Sequence, residues 1–172
     1  MAILDSGERR EFETGAVRDI QEGKGRCDLL PLDVVGEFFG KNRIEHLPIL
    51  AINVYVRTGD TQYLYDAIRE FISSHPTWDD VTATLEVAKH YEDGANKYAE
   101  RNWEKGINLH CYIDSGLRHY LKWLRGDEDE PHDRAFLWNM FGAIWTHEHK
   151  PELIDLPFKE NDYESVTHSA DC

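Results

Sequence analysis

Residues 131–147 read PHDRAFLWNMFGAIWTH, and this stretch decides the fold. Phe136, Leu137, Trp138, Phe141, Ile144 and Trp145 set apolar side chains almost all round a helix, which predicts an element surrounded by others. Working backwards, a helix from Cys111 or Tyr112 to Arg125 carries Ile113, Leu117, Tyr120 and Leu124 on one face, and Gly126 ends it. Before it, a helix is expected from Thr77 to about Arg101, with acids in its first turn and a stripe of Val81, Leu85, Ala88, Ala95 and Ala99. Residues 60–76 form another, with Asp60 as cap and Leu64, Ile68, Phe71 and Ile72 inward. Residues 44–60 are rich in Ile and Val, which suits a strand, but their length favours a helix with Pro48 as a kink or a start. Leu32, Val35, Phe38 and Phe39 recur at helical spacing after Pro31. The expectation is an all-α fold: an arm or loop over residues 1–30, one helical domain over 31–150, and an acidic tail over 151–172.

The chain has 172 residues and a formal net charge of −14. A surface this acidic repels a phosphate backbone, so a nucleic-acid polymer is not an expected partner, but the charge does not exclude a small nucleotide carried with a metal ion. Three cysteines, Cys27, Cys111 and Cys172, with no C-x-x-C pair, read as reduced thiols. With no leader-like start and no apolar run of membrane length, the expected location is the cytoplasm.

Against this acidic background, residues 97–106 read KYAERNWEKG. Lys97, Arg101, Asn102 and Lys105 there suit phosphate, and Tyr98 or Trp103 suits stacking on a base. Arg118 and His119 add two phosphate contacts, although Arg118 one turn after Asp114 also reads as an ion pair within the helix. Glu92 falls within an apolar stripe, so it requires either a cationic partner or a metal. Asp129, Glu130 and Asp133 crowd the start of the central helix, where the helix dipole alone favours acids. Glu130 and Asp133 on one face, opposite a carboxylate from a neighbouring helix, would give the all-oxygen set that Mg²⁺ or Mn²⁺ prefers. His132 and Asn139 share another face. No cysteine or histidine spacing suggests zinc, and no P-loop or dinucleotide fingerprint is present. His132–Asp133 matches the HD dipeptide of a class of phosphohydrolases, a minor alternative.

The blocks GAVRDIQEGKGRCDLLP, HYEDGANKYAERNWEKGI, YIDSGLRHYLKWLRGD and DEPHDRAFLWN resemble, in order, those of the phage-associated dATP/dGTP diphosphohydrolase family. They cover residues 15–31 and 90–139 and leave about 32–85 as an inserted helical segment. The resemblance implies a MazG-like helical bundle that assembles as a dimer or tetramer and uses Mg²⁺ or Mn²⁺ to convert a purine deoxynucleoside triphosphate to the monophosphate and pyrophosphate. Taken with the acid cluster, it leads to an expectation of metal ligands among Glu92, Asp129, Glu130 and Asp133 and of a catalytic set of Asp114, Arg118 and His119. Substrate contacts would come from Lys97, Tyr98, Arg101, Asn102, Trp103, Lys105, His132 and Asn139. One departure is that Lys89 stands three before Glu92, where an E-x-x-E motif would carry an acid. It motivates a second expectation: a protein that sequesters a nucleotide without cleaving it.

Overall fold

The structure is a computed structural model that describes residues 7–20, 25–38 and 47–158. A short antiparallel hairpin, β1 (Arg9–Glu11) and β2 (Val17–Asp19), pairs Arg10 with Arg18 at its centre. Six α-helices follow among the described residues: α1 (Leu32–Phe38), α2 (Leu47–Thr58), α3 (Gln62–Ser74), α4 (Asp80–Lys97), α5 (Leu109–Arg125) and α6 (His132–His149). The all-α expectation holds, with the hairpin as an addition inside the stretch expected to be arm or loop. Phe39 lies outside the described residues.

The central helix is α6, packed against α3, α4 and α5. It buries Phe136, Leu137, Met140, Ala143 and Ile144, the consequence of its nearly continuous apolar surface. Its longest contact is with α5, and Gly142 permits it: a β-carbon there would stand 2.3 Å from the Tyr112 ring. At the far end of α5, Gly126 takes φ +84° and donates to Trp123 O, while Asp127 N donates to Lys122 O, the paired bonds of a left-handed helix cap.

Residues 47–58 are helical despite their β-branched content. Pro48 in the first turn removes no needed hydrogen bond, and Ile49, Ile52 and Tyr55 form the buried face. The Tyr55 hydroxyl reaches His147 Nδ1 at 3.0 Å, tying α2 to α6. In α3, Leu64, Ala67, Ile68 and Phe71 are buried, and Asp60 accepts the Gln62 backbone N–H at 2.9 Å.

The face of α4 differs from the expected stripe. Val81 and Leu85 are 68% and 62% exposed, whereas Ala83, Val87 and His90 are buried. The side that meets α6 is recruited from an alanine, a valine and aromatic rings, with His90 and Tyr91 both near Trp138. A count of aliphatic residues alone misses such a face. Glu92 is consequently exposed.

The segment after α6 is held by a polar pin. Asp155 accepts the backbone N–H of His110 at 3.0 Å and the Asn108 amide at 3.0 Å, and faces His110 Nδ1 at 2.5 Å. Asp155 thus anchors this segment on the start of α5 with Leu153 buried, and Phe158 packs on Tyr55 and His147, although residues 151–158 were expected to be part of an acidic tail. The hydrogen bond to Cys111 Sγ, together with that to Asp155, raises His110 to about 9. A group whose folded pKa lies above its unfolded value stabilises fully below the unfolded value, and that stability is lost as pH rises through the folded one. Melting temperature is therefore expected to fall between about pH 6.5 and 9, and His110→Gln to flatten that slope. After allowance for solvent screening the loss is on the order of 1 kcal/mol, roughly 2–4 °C.

Candidate functional site

A cavity of about 960 Å³ opens between the hairpin, α4, α5 and the first half of α6. Its size lies within the usual range for ligand pockets, roughly 300–1,000 Å³. On one side are aromatic rings, Tyr91, Trp103 and Trp138 with Phe12 and Tyr98. Tyr91 meets Trp103 edge-on at 5.7 Å. On another side α5 contributes Asp114, Ser115, Arg118, His119 and Lys122, one turn after another along its length.

Arg18 closes the cavity from β2. Its guanidinium donates to Cys111 O at 3.1 Å and to Asn139 Oδ1 at 3.0 Å, and it stands over the rings of Tyr112 and Trp138 at 5.5 and 5.4 Å. Burial pulls its pKa below the usual value, and these contacts compensate the charge. Asp114 is 1% exposed and accepts the Cys27 backbone N–H at 2.6 Å while pairing with Arg118 at 3.2 Å. Arg118 Nη1 is buried without a hydrogen-bond partner, and so is Nδ1 of His90, which lines the same cavity. A buried donor lacking a partner costs about 1–3 kcal/mol, so each such group points to a ligand or water. Burial holds His90 down to about 4 and His119 well below its ordinary value, the latter helped by His132 and Arg118, so both rings are neutral at pH 7. A neutral His119 offers one N–H donor and one lone pair, so it can donate to a phosphate oxygen or bind as an acceptor or ligand.

Most of the residues singled out in the sequence converge here. Glu92, Tyr98, Arg101, Asn102, Trp103, Asp114, Arg118, His119, Glu130 and Asn139 all line the cavity. Several do so with their polar groups engaged elsewhere. Lys97 pairs with Asp19 at 2.8 Å and the Tyr98 hydroxyl donates to the same carboxylate at 3.1 Å. Asn102 clamps the backbone of Val17 from both sides, accepting from its N–H at 3.2 Å and donating to its C=O at 3.0 Å. Arg101 pairs with Glu104, and Lys105 reaches Gly15 O at 3.3 Å. Much of the basic island therefore holds the hairpin. Its cationic partner in the cavity is Arg18, which reasoning from composition missed although it lies in the first of the four blocks. Arg10 and Lys122 were missed as well.

The four expected metal ligands are not gathered. Asp133 faces His75 at 3.6 Å, and Asp129 is engaged by Lys122 at 3.0 Å and His132 at 2.8 Å. Glu130 instead approaches His119 and His132. The all-oxygen set for Mg²⁺ or Mn²⁺ is therefore not formed by these side chains.

Two substitutions separate the roles of the acids. Glu92→Gln, at an exposed position, is expected to change stability by less than about 0.5 kcal/mol. Asp114→Asn leaves Arg118 without its counter-charge and is expected to cost about 3 kcal/mol, read from urea denaturation.

A family profile described as dATP/dGTP diphosphohydrolase, N-terminal, matches residues 57–156. The match spans α3 to α6 and takes in residues 57–85, which the four blocks leave outside. No curated protein and no solved structure matches the chain. The chain belongs to the dATP/dGTP diphosphohydrolase N-terminal family.

Proposed function

From this membership we propose that the protein binds a purine deoxynucleoside triphosphate in the cavity and cleaves it to the monophosphate and pyrophosphate in a metal-dependent reaction. The observation that carries the reading is Arg118, which lines a cavity that also holds Lys122 and Arg18 and whose buried Nη1 has no hydrogen-bond partner. The cavity sets Arg10, Arg18, Arg101, Arg118 and Lys122 among Asp19, Glu92, Glu100, Asp114 and Glu130, a lining far less acidic than the chain of net charge −14 as a whole, which favours a compact anion there over a polymer. The base would stack in the aromatic side, against Tyr91, Trp103 or Trp138, and the phosphates would meet α5. There, Arg118 and Lys122 would neutralise charge on the phosphoryl oxygens, and a neighbouring carboxylate of the cavity would take the proton from the attacking water. A divalent ion would supply Lewis acidity toward the same oxygens.

A second reading, capture of a nucleotide without cleavage, is favoured by the dispersal of Asp129 and Asp133 onto other partners. Products separate the two. Incubation of dATP, dGTP and the other nucleotides with the protein and a divalent ion is expected to yield pyrophosphate and the purine deoxynucleoside monophosphate, with Arg118→Gln losing about 1.5–3 kcal/mol of transition-state stabilisation. Tight binding of intact nucleotide with no product would favour capture. Release of orthophosphate or of intact triphosphate would identify a different bond.

A further inference from the structure

His119 Nδ1, His132 Nδ1 and one oxygen of Glu130 converge at the α5 end of the cavity. The two nitrogens are 2.9 Å apart, and Glu130 Oε1 is 3.6 Å from the first and 3.7 Å from the second. A point equidistant from all three lies about 2.0 Å from each, the length of the bonds that Zn²⁺ makes to imidazole nitrogen and carboxylate oxygen. The geometry points to a site for one divalent first-row transition ion, held by His119, His132 and Glu130.

Two features outside this triangle support it. His132 is 2% exposed, and its Nε2 faces Asp129 Oδ1 at 2.8 Å. A carboxylate on the far nitrogen fixes the imidazole with its lone pair on Nδ1, the arrangement typical of metal-bound histidine. Glu130 is 14% exposed in its side chain and has no lysine or arginine partner among the described residues. A hydrogen bond between the two rings accounts for one proton on the Nδ1 atoms but leaves that carboxylate facing them at distances too long for hydrogen bonds. A cation at the centre satisfies all three groups. Mixed nitrogen and oxygen donors suit Zn²⁺, Mn²⁺, Fe²⁺ or Co²⁺ and not Mg²⁺, which prefers oxygen alone.

His119 and Glu130 both line the large cavity, so coordination positions left open by the protein face the space beside Arg118 and Lys122. Phosphate oxygens could complete the shell there. That role rests on the proposed nucleotide function, whereas binding of the ion is measured without nucleotide, so the two fail separately.

The test is titration of chelator-treated, full-length protein with Co²⁺, followed by visible absorption in an excess of Mg²⁺. One equivalent with ligand-field bands, displaced by Zn²⁺, is expected. His119→Gln and Glu130→Gln should abolish the bands, Asp129→Asn should weaken affinity roughly 10–100-fold, and His149→Gln should change nothing. Because His132 is buried, its part is read in the unaltered protein from ¹⁵N imidazole spectra, where Zn²⁺ should shift Nδ1 of two histidines. Absence of stoichiometric Co²⁺ and Zn²⁺ binding by the folded protein, or equal binding by the Glu130 and His149 variants, would overturn the site.

Discussion

The guanidinium of Arg18, buried between α5 and α6, is the interaction on which the site depends. Removing a charged group from water costs several kcal/mol unless hydrogen bonds and ring faces replace the solvent. Here the carbonyl of Cys111, the Asn139 amide oxygen and the rings of Tyr112 and Trp138 do so. Since Arg18 lies on β2, meeting those partners brings the hairpin onto the helices. The other contacts reinforce that position: Asp19 is held by Lys97, Tyr98 and Arg9, and Val17 by Asn102. A helical bundle with an open groove thereby acquires a wall, and the groove becomes a cavity.

The same arrangement explains how a strongly acidic chain can present cations to a ligand. Arg18, Arg118 and Lys122 reach the cavity from its lining, each kept in place by a protein acceptor. Asp114 is central to this, joining the loop at Cys27 to the middle of α5 while balancing Arg118. Neutral His90 and His119 add polarity without charge. In the proposed complex, phosphate would meet donors already oriented, beside imidazoles available to a proton or a metal ion.

The helices were legible where one physical signal dominated. Apolar residues all round 131–147 announced the central helix, and Gly126 marked the end of α5. The face of α4 was not, because it packs through Ala83, Val87, His90 and Tyr91, and the exposed Val81 and Leu85 carried the stronger hydropathic signal. Glu92 was misplaced with them. At the site, the basic island and the α5 block were recognised as neighbours of a pocket, but which groups face it was not visible. Lys97 and Tyr98 turn to Asp19, a partner some 80 residues away in the chain, and no local spacing encodes that. The acids at 129–133 were read as one cluster, yet competing partners draw them apart: Lys122 and His132 take Asp129, His75 takes Asp133, and Glu130 remains with the imidazoles.

The central claim is that the cavity closed by Arg18 receives a nucleotide with its phosphates on α5. A crystal structure of the protein with a dGTP analogue whose α–β bridge resists hydrolysis tests it most directly. The account predicts the purine among the rings of Tyr91, Trp103 and Trp138 and a phosphate oxygen on the free Nη1 of Arg118, with the hairpin in place. Nucleotide bound elsewhere on the protein, or in the cavity with Arg118 Nη1 still unpartnered, would contradict it.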